Sequence, residues 1–225
     1  MANPAGVLFD VDGTLVDTTY LHTVCWSEAL RGAGHELAMA DIHHGVGMGS
    51  TELLDHLLGT GRDTSEDEAL EAAHLVLYRQ YWGRLSPLPG ARELLHACAG
   101  LGLRIVLASS ASEDELQVLR AAIDADELIA AATSGSDADS GKPRPDILQA
   151  ALDDSGMAAD DVVFVGDSVW DGIAAARTLV PFVGLTCGGT PAGQLRAAGA
   201  VEVWRDPADL CASLQQSIVS YRARR

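Results

Sequence analysis

Positive charge is scarce in this sequence: 15 Lys and Arg stand against 32 Asp and Glu, for a net charge of −17. A field of that sign repels nucleic acid and anionic membrane at long range, so neither is expected as a partner. The short basic tail, Arg222, Arg224 and Arg225, reads as a solvated end and not as a binding patch. Long apolar runs are absent too; none approaches the roughly 18 residues that span a bilayer. The first apolar run begins within a few residues of Met1, with no basic leader before it, and a cytoplasmic protein is expected. Cysteine is sparse, and Cys25, Cys98, Cys187 and Cys211 show no CxxC spacing. That argues against a zinc or disulfide framework and for buried thiols in a reducing compartment.

What is present is an ordinary globular balance, 48% hydrophobic and 21% charged over 225 residues. This fits one domain carrying a sizeable insertion. Residues 6–10 form a short apolar run ending in an acidic turn, Asp10-Val-Asp-Gly-Thr14, and read as a strand entering a loop. From Thr18 to Arg84 the periodicity is helical: Leu21, Val24 and Cys25, then Leu53, Leu54, Leu57 and Leu58, fall at three- and four-residue spacing. Glycines 45, 47 and 49 break this stretch, and Pro87 and Pro89 close it. Beyond Gly90, helices alternate with short strands at 104–108, 128–132, 162–165, 182–185 and 201–204. A helix is expected over 172–179, and a final one over 208–221. Such alternation predicts an α/β fold, a Rossmann-like parallel sheet with helices on both faces. Residues 1–17 and 87–225 make the expected core, and 18–86 a small helical domain inserted after the first strand.

Open parallel sheets bind ligands beyond the carboxyl ends of their strands. Four segments meet that condition. The first strand ends in Asp10 and Asp12, whose two-residue spacing on extended chain points both side chains the same way. The second ends in Ser109-Ser110, where a hydroxyl can hold an anion or simply cap a helix. Lys142, the one lysine of the chain, sits between Gly141 and Pro143, where a compact point charge is called for. The strand at 162–165 runs into Gly166-Asp167-Ser168, with Asp171 three residues beyond; singly, Asp167 reads as a helix cap and Asp171 as first-turn decoration. Taken together, the clustered carboxylates demand a cation, and oxygen donors with no His or Cys nearby select a hard ion, most simply Mg²⁺. Lys142 and such an ion would suit a phosphate group.

These four segments, in this order and spanning nearly the whole chain, resemble the motifs of the haloacid dehalogenase-like superfamily of phosphoaspartate-forming phosphohydrolases. The insert is similar to that family's small α-helical cap. The resemblance implies that Asp10 attacks phosphorus and that Asp12 protonates the leaving oxygen and then activates water. It implies metal ligation by Asp10, Asp12 (through its carbonyl), Asp167 and Asp171. Ser109 and Lys142 would hold phosphoryl oxygens, with Thr14 and Ser110 as secondary contacts. Dehalogenase members lack an aspartate where Asp12 stands, so phosphoryl transfer is expected, on a small phosphorylated metabolite such as a sugar phosphate or phosphoglycolate.

The run from Asp17 through Thr18 and His22 to Trp26 is also similar to the β-phosphoglucomutases, which makes an isomerase the alternative. Those enzymes grip a second phosphate with a cap-loop arginine, and here Met48 stands near that place, beside Gly47. A non-catalytic regulatory protein is the third reading, and intact Asp10 and Asp12 count against it. His22, Gly47 and Met48 are the expected substrate-facing cap residues, the loop glycines letting backbone approach the substrate. His43 and His44 read as surface residues, Trp170 as packing, and Arg79 and Trp82 as packing or solvated residues near the cleft. A monomer or homodimer is expected.

Overall fold

A computed structural model of the chain describes residues 5–138 and 140–222; Arg224 and Arg225 of the basic tail lie outside them. The first strand, β1 (Gly6–Phe9), is followed by four helices, α1 (Thr19–Gly32), α2 (Met39–Gly45), α3 (Ser50–Leu58) and α4 (Asp67–Arg79). Then come α5 (Ala91–Gly100), β2 (Arg104–Ala108), α6 (Glu113–Ile123), β3 (Ile129–Thr133) and α7 (Asp146–Ser155). The chain continues through β4 (Val162–Gly166), α8 (Val169–Thr178), β5 (Phe182–Leu185), α9 (Ala192–Ala197) and β6 (Ala200–Trp204). It closes with α10 (Pro207–Ala212) and α11 (Ile218–Arg222). No helix among the described residues is long and apolar enough to cross a membrane.

The six strands are parallel, in the order β3-β2-β1-β4-β5-β6. Val7 pairs with Ile105 on one side and Val163 on the other, and Phe9 with Leu107 and Val165. Both faces are buried, which is why these strands read as unbroken apolar runs. Val7, Phe9, Ile105 and Leu107 pack against Leu94 and Leu95 of α5 and Leu116 and Leu119 of α6. Leu8, Val106 and Phe164 pack on the opposite face against Ile147 and Leu148 of α7 and Ala174 and Ala175 of α8. Each such large side chain contributes on the order of 2 kcal/mol by leaving water.

Helices α1 to α4 share a separate apolar cluster of Trp26, Leu30, Ile42, Leu53, Leu54 and Leu70. The two chain segments that join them to the sheet run side by side. Val16 bridges Pro87, the Asp17 amide donates to the Ser86 carbonyl at 3.1 Å, and the Leu88 amide to the Leu15 carbonyl at 2.8 Å.

Two helices depart from expectation. The helix expected at 172–179 starts at Val169, because Ser168 and Asp171 form a reciprocal capping box. Ser168, and not Asp167, is therefore the cap. The single helix expected over 208–221 is broken into α10, a 3₁₀ turn at Leu214–Gln216 and α11. The break has a non-local cause: Glu202 of β6 accepts from Ser217 Oγ at 2.7 Å, the Ile218 amide at 2.7 Å and Trp204 Nε1 at 3.1 Å. Glu202→Ala strands those donors, and we expect a loss of about 1–3 kcal/mol in stability, read from the midpoint of urea denaturation.

Candidate active site

The strand order explains why distant motifs meet. Strands β1, β2 and β4 are neighbours running in one direction, so the loops leaving Phe9, Ala108 and Gly166 emerge at one edge of the sheet. Asp10 still holds the ladder, its amide donating to the Val165 carbonyl at 2.9 Å. Asp10, Asp167 and Asp171 are all buried, and each offers an oxygen within 4.8 Å of the others. Lys142, 1% exposed, pairs through Nζ with Asp10 and lies 2.8 Å from Asp171 Oδ1.

Three carboxylates against one ammonium leave two uncompensated negative charges in a buried site. Burial pushes the Asp10 carboxyl up to about 7, against the pull of Lys142 and with Asp171 adding to the rise. Burial, Asp10 and Asp171 hold Asp167 well above the ordinary carboxylate range. Lys142 rises although burial opposes it, because Asp10 and Asp171 favour its charge. An all-carboxylate donor set with this excess charge fits a hard divalent cation, and Asp10, Asp167 and Asp171 are the residues able to hold one.

Local structure fixes the donors. Thr14, expected as a phosphate contact, donates from Oγ1 to Asp167 Oδ1 at 3.0 Å. Gly188 approaches Asp167 so closely that a Cβ would stand 1.5 Å from its Oδ2. Nothing in the sequence around Gly188 signalled this role. Ser109 is fully buried and its Oγ accepts from the Ala111 amide at 3.1 Å, whereas Ser110 lines the cleft with a buried Oγ that has no partner.

The Asp12 side chain belongs to a second group, with His22 and Glu115, and not to the first. The expectation of no histidine near the carboxylates is therefore corrected at Asp12. Its Oδ1 accepts from Thr18 Oγ1 at 2.7 Å and lies 3.3 Å from His22 Nε2. His22 Nδ1 lies 3.1 Å from His74 Nε2, and Tyr78 stacks on the His22 ring at 4.0 Å. Burial raises the Asp12 pKa, but the His22 hydrogen bond and charge and the Thr18 hydrogen bond outweigh it, holding it below the ordinary value. His22 is raised, the pull of Asp12 and then Glu115 overcoming burial. His74 falls well below its ordinary value, through burial and the neighbouring His22. An ionised Asp12 can only accept, so it calls for an N–H on the His22 Nε2 that faces it.

Sequence reading missed Glu115 and His74. Glu115 sits in an acidic run, Glu113-Asp114-Glu115, that looks like ordinary first-turn decoration of a helix, and only its burial separates it.

The helical insert docks over this site through residues assigned other roles by sequence. Trp170 Nε1 donates to the His44 carbonyl at 2.7 Å, and His43 Nε2 lies 3.0 Å from the Gly188 carbonyl. His43 is thus a half-buried docking residue, whereas His44 docks through its backbone carbonyl and is exposed, as expected of a surface residue. The loop glycines meet the sheet domain: a Cβ on Gly47 (φ +99°) would stand 3.0 Å from Ser168 Oγ, and one on Gly49 2.8 Å from Gly141 Cα. Gly47, Met48 and His22 do line the cleft with Asp10, Asp12 and Ser110. Arg79 lies outside it, 3.6 Å from Asp114 and stacked over Trp82.

The family model for haloacid dehalogenase-like hydrolases matches residues 4–178. The phosphoglycolate phosphatase of Rhodospirillum rubrum is 30% identical over 220 residues, covering 92% of this chain and 89% of its own. The chain belongs to the haloacid dehalogenase-like hydrolases. The phosphoglycolate phosphatase of Escherichia coli K12 is 28% identical over 209 residues, covering 81% of each chain. Among solved structures, a hydrolase from Pseudomonas syringae superposes with a TM-score of 0.89 at 33% identity, covering 94% of this chain and 98% of its own. A β-phosphoglucomutase from Clostridium difficile shares the fold, with a TM-score of 0.82 at 18% identity over 99% of this chain and all of its own.

Adding a divalent cation to metal-free protein should raise its melting temperature, and more at about pH 8 than at about pH 5. Below the value near 7 to which Asp10 is raised, a proton occupies its carboxylate and competes with the cation. At ~100 times its dissociation constant the cation stabilises by about 2.7 kcal/mol. Thermal melts with and without EDTA at the two pH values measure the difference.

Proposed function

We propose that this chain is a Mg²⁺-dependent phosphohydrolase that removes phosphate from a small phosphorylated metabolite through an aspartyl phosphate on Asp10. The observation that supports it most is the arrangement at the end of β1. Asp10 stands beside a buried ammonium, and the next carboxylate along, Asp12, has its Oδ1 occupied by two donors. Asp12 Oδ2 is left to exchange a proton with substrate.

In the first step an Asp10 oxygen bonds to phosphorus as the ester P–O bond breaks. Asp12 delivers a proton to the leaving oxygen, so the product alcohol departs neutral. His22, raised by its hydrogen bond to Asp12 and by the Asp12 charge against the pull of burial, stands one hydrogen bond away. In the second step Asp12 takes a proton from water as the water oxygen bonds to phosphorus, releasing phosphate and freeing Asp10. Lys142 offsets the charge that gathers on the phosphoryl oxygens, fixed in place by Asp10 and Asp171 before substrate arrives. Ser110, at the cleft wall, is better placed than Ser109 to meet a phosphoryl oxygen. Asp10, Asp167 and Asp171, with the Asp12 carbonyl, would hold a Mg²⁺, which would supply further neutralisation of that charge. Helices α1 to α4 act as a cap that closes the site and surrounds the leaving group.

An isomerase must also hold a bisphosphate intermediate. No arginine or lysine is among the residues lining the cleft, and Met48 occupies the loop position where a clamp would be needed.

Hydrolysis of an aryl phosphate in the presence of Mg²⁺ tests the proposal. EDTA should stop it, and Asp10→Asn should lower kcat by about 10⁴-fold or more while circular dichroism stays native. Wild-type turnover by the Asp10→Asn protein, or full activity in EDTA, overturns the reading.

A further inference from the structure

The cleft that receives the leaving group carries a buried carboxylate that neither phosphoryl-transfer step uses. Glu115 projects from α6, on the sheet domain and not the cap, and is 7% exposed. Its Oε1 is buried without a hydrogen-bond partner and lies 3.6 Å from His22 Nε2. It lines the same cleft as Asp10, Asp12 and Ser110.

Charge in this cleft is one-sided. Asp12 and Glu115 share the His22 imidazole as the one cation within ion-pair distance of both, Arg79 and Lys142 acting on Glu115 and Asp12 respectively only from farther off. The arginines nearest the rim are engaged elsewhere, Arg79 with Asp114 at 3.6 Å and Arg144 with Glu52 at 3.5 Å. Lys142 is committed to Asp10 and Asp171 beneath the phosphoryl position. A carboxylate or second phosphate on the leaving group would therefore meet Glu115 with its nearest cation, His22, already shared with Asp12 and with no arginine or lysine among the described lining residues, in a site where burial keeps the repulsion strong. A hydroxyl would instead satisfy the orphan acceptor. The unpartnered Oγ of Ser110 offers a complementary donor in the same wall. Val46, Met48, Leu53 and Trp26 complete the lining with an apolar surface suited to the C–H face of a polyol or sugar.

We infer that Glu115 is a specificity-determining residue that selects phosphate monoesters of uncharged, hydroxyl-bearing alcohols and rejects esters whose leaving group carries a second anion. This rests on the phosphohydrolase reading and separates the chain from its curated relatives, named as phosphatases of phosphoglycolate, whose leaving group bears a carboxylate.

The test is a panel of kcat/KM values with Mg²⁺ at about pH 8, where carboxylates such as Glu115 are ionised even though burial pushes this one up to about 7 against the pull of His22. Substrates are p-nitrophenyl phosphate, glycerol phosphate, a hexose 6-phosphate, phosphoglycolate and phosphoethanolamine. In the wild type, glycerol phosphate or the hexose phosphate should exceed phosphoglycolate by about tenfold or more. Glu115→Gln should close that gap by a similar factor, chiefly through a lower KM for phosphoglycolate, while Glu115→Asp, which keeps the charge, should preserve it. Should Glu115→Gln misfold, Met48→Arg, which brings a cation into the cleft with Glu115 intact, should raise phosphoglycolate turnover relative to the neutral esters. Equal or better use of phosphoglycolate by the wild type overturns the inference. So does an unchanged ratio in folded Glu115→Gln, or a preference for phosphoethanolamine, which would mean a cationic leaving group. Absence of p-nitrophenyl phosphate hydrolysis in the wild type is a different failure: it removes the phosphohydrolase reading, and the inference with it.

Discussion

One ammonium buried among three carboxylates organises this molecule. Lys142 reaches Asp10 and Asp171 from a loop far along the chain, and without it the carboxyl ends of β1 and β4 would carry unopposed charge at the centre of the sheet. Breaking such a pair costs more than forming it returns, because the remaining charges stay buried. The arrangement is therefore a poor source of stability and a good source of pre-organisation. In the proposed function a cation and a phosphoryl group are complementary to opposite sides of this charge: the cation to the carboxylates, the phosphate to the ammonium. Glycine backbone closes round the same cluster, Gly188 lying where any side chain would collide with Asp167. The site is thus built as much from omitted atoms as from charged ones.

A second, softer constellation sits one turn away. Asp12 takes its donors, Thr18 and His22, from the beginning of α1, so its orientation depends on the helical insert. His74, from α4, lies 3.1 Å from the other nitrogen of His22 and helps to hold its ring. Asp12, the proton carrier of the proposed mechanism, is thereby aligned by elements outside the sheet domain, while Asp10, its proposed nucleophile, is aligned by the sheet. The two halves of the chemistry have separate structural supports.

Much of this was readable in advance, for identifiable reasons. Strands buried on both faces give apolar runs bounded by glycine or acidic turns, so β2 and β5 fell at the residues expected. Lys142 stood out because no other lysine competes with it. What escaped depends on contacts between residues far apart in sequence. Glu202 breaks the last helix from β6, across 15 residues, and the periodicity of 208–221 carries no trace of it. Ser109 and Ser110 are adjacent and chemically alike, and only the turn after β2 decides that the first binds the backbone and the second faces the cleft. Glycines 47 and 49 look like loop punctuation until the sheet domain is placed against them.

The paired crossings at Val16–Pro87 and Leu15–Leu88 bring the insert's two ends together. A segment that leaves and rejoins a scaffold at one point places no demand on the scaffold for its length or shape. The sixty-odd residues between Asp17 and Ser86 can drift, lengthen or be exchanged while the register of β1 against β2 and β4 stays as it is. Variation in the insert's share of the pocket lining is in this way insulated from variation that would unseat Asp10. Inheritance can thus revise the two at different speeds.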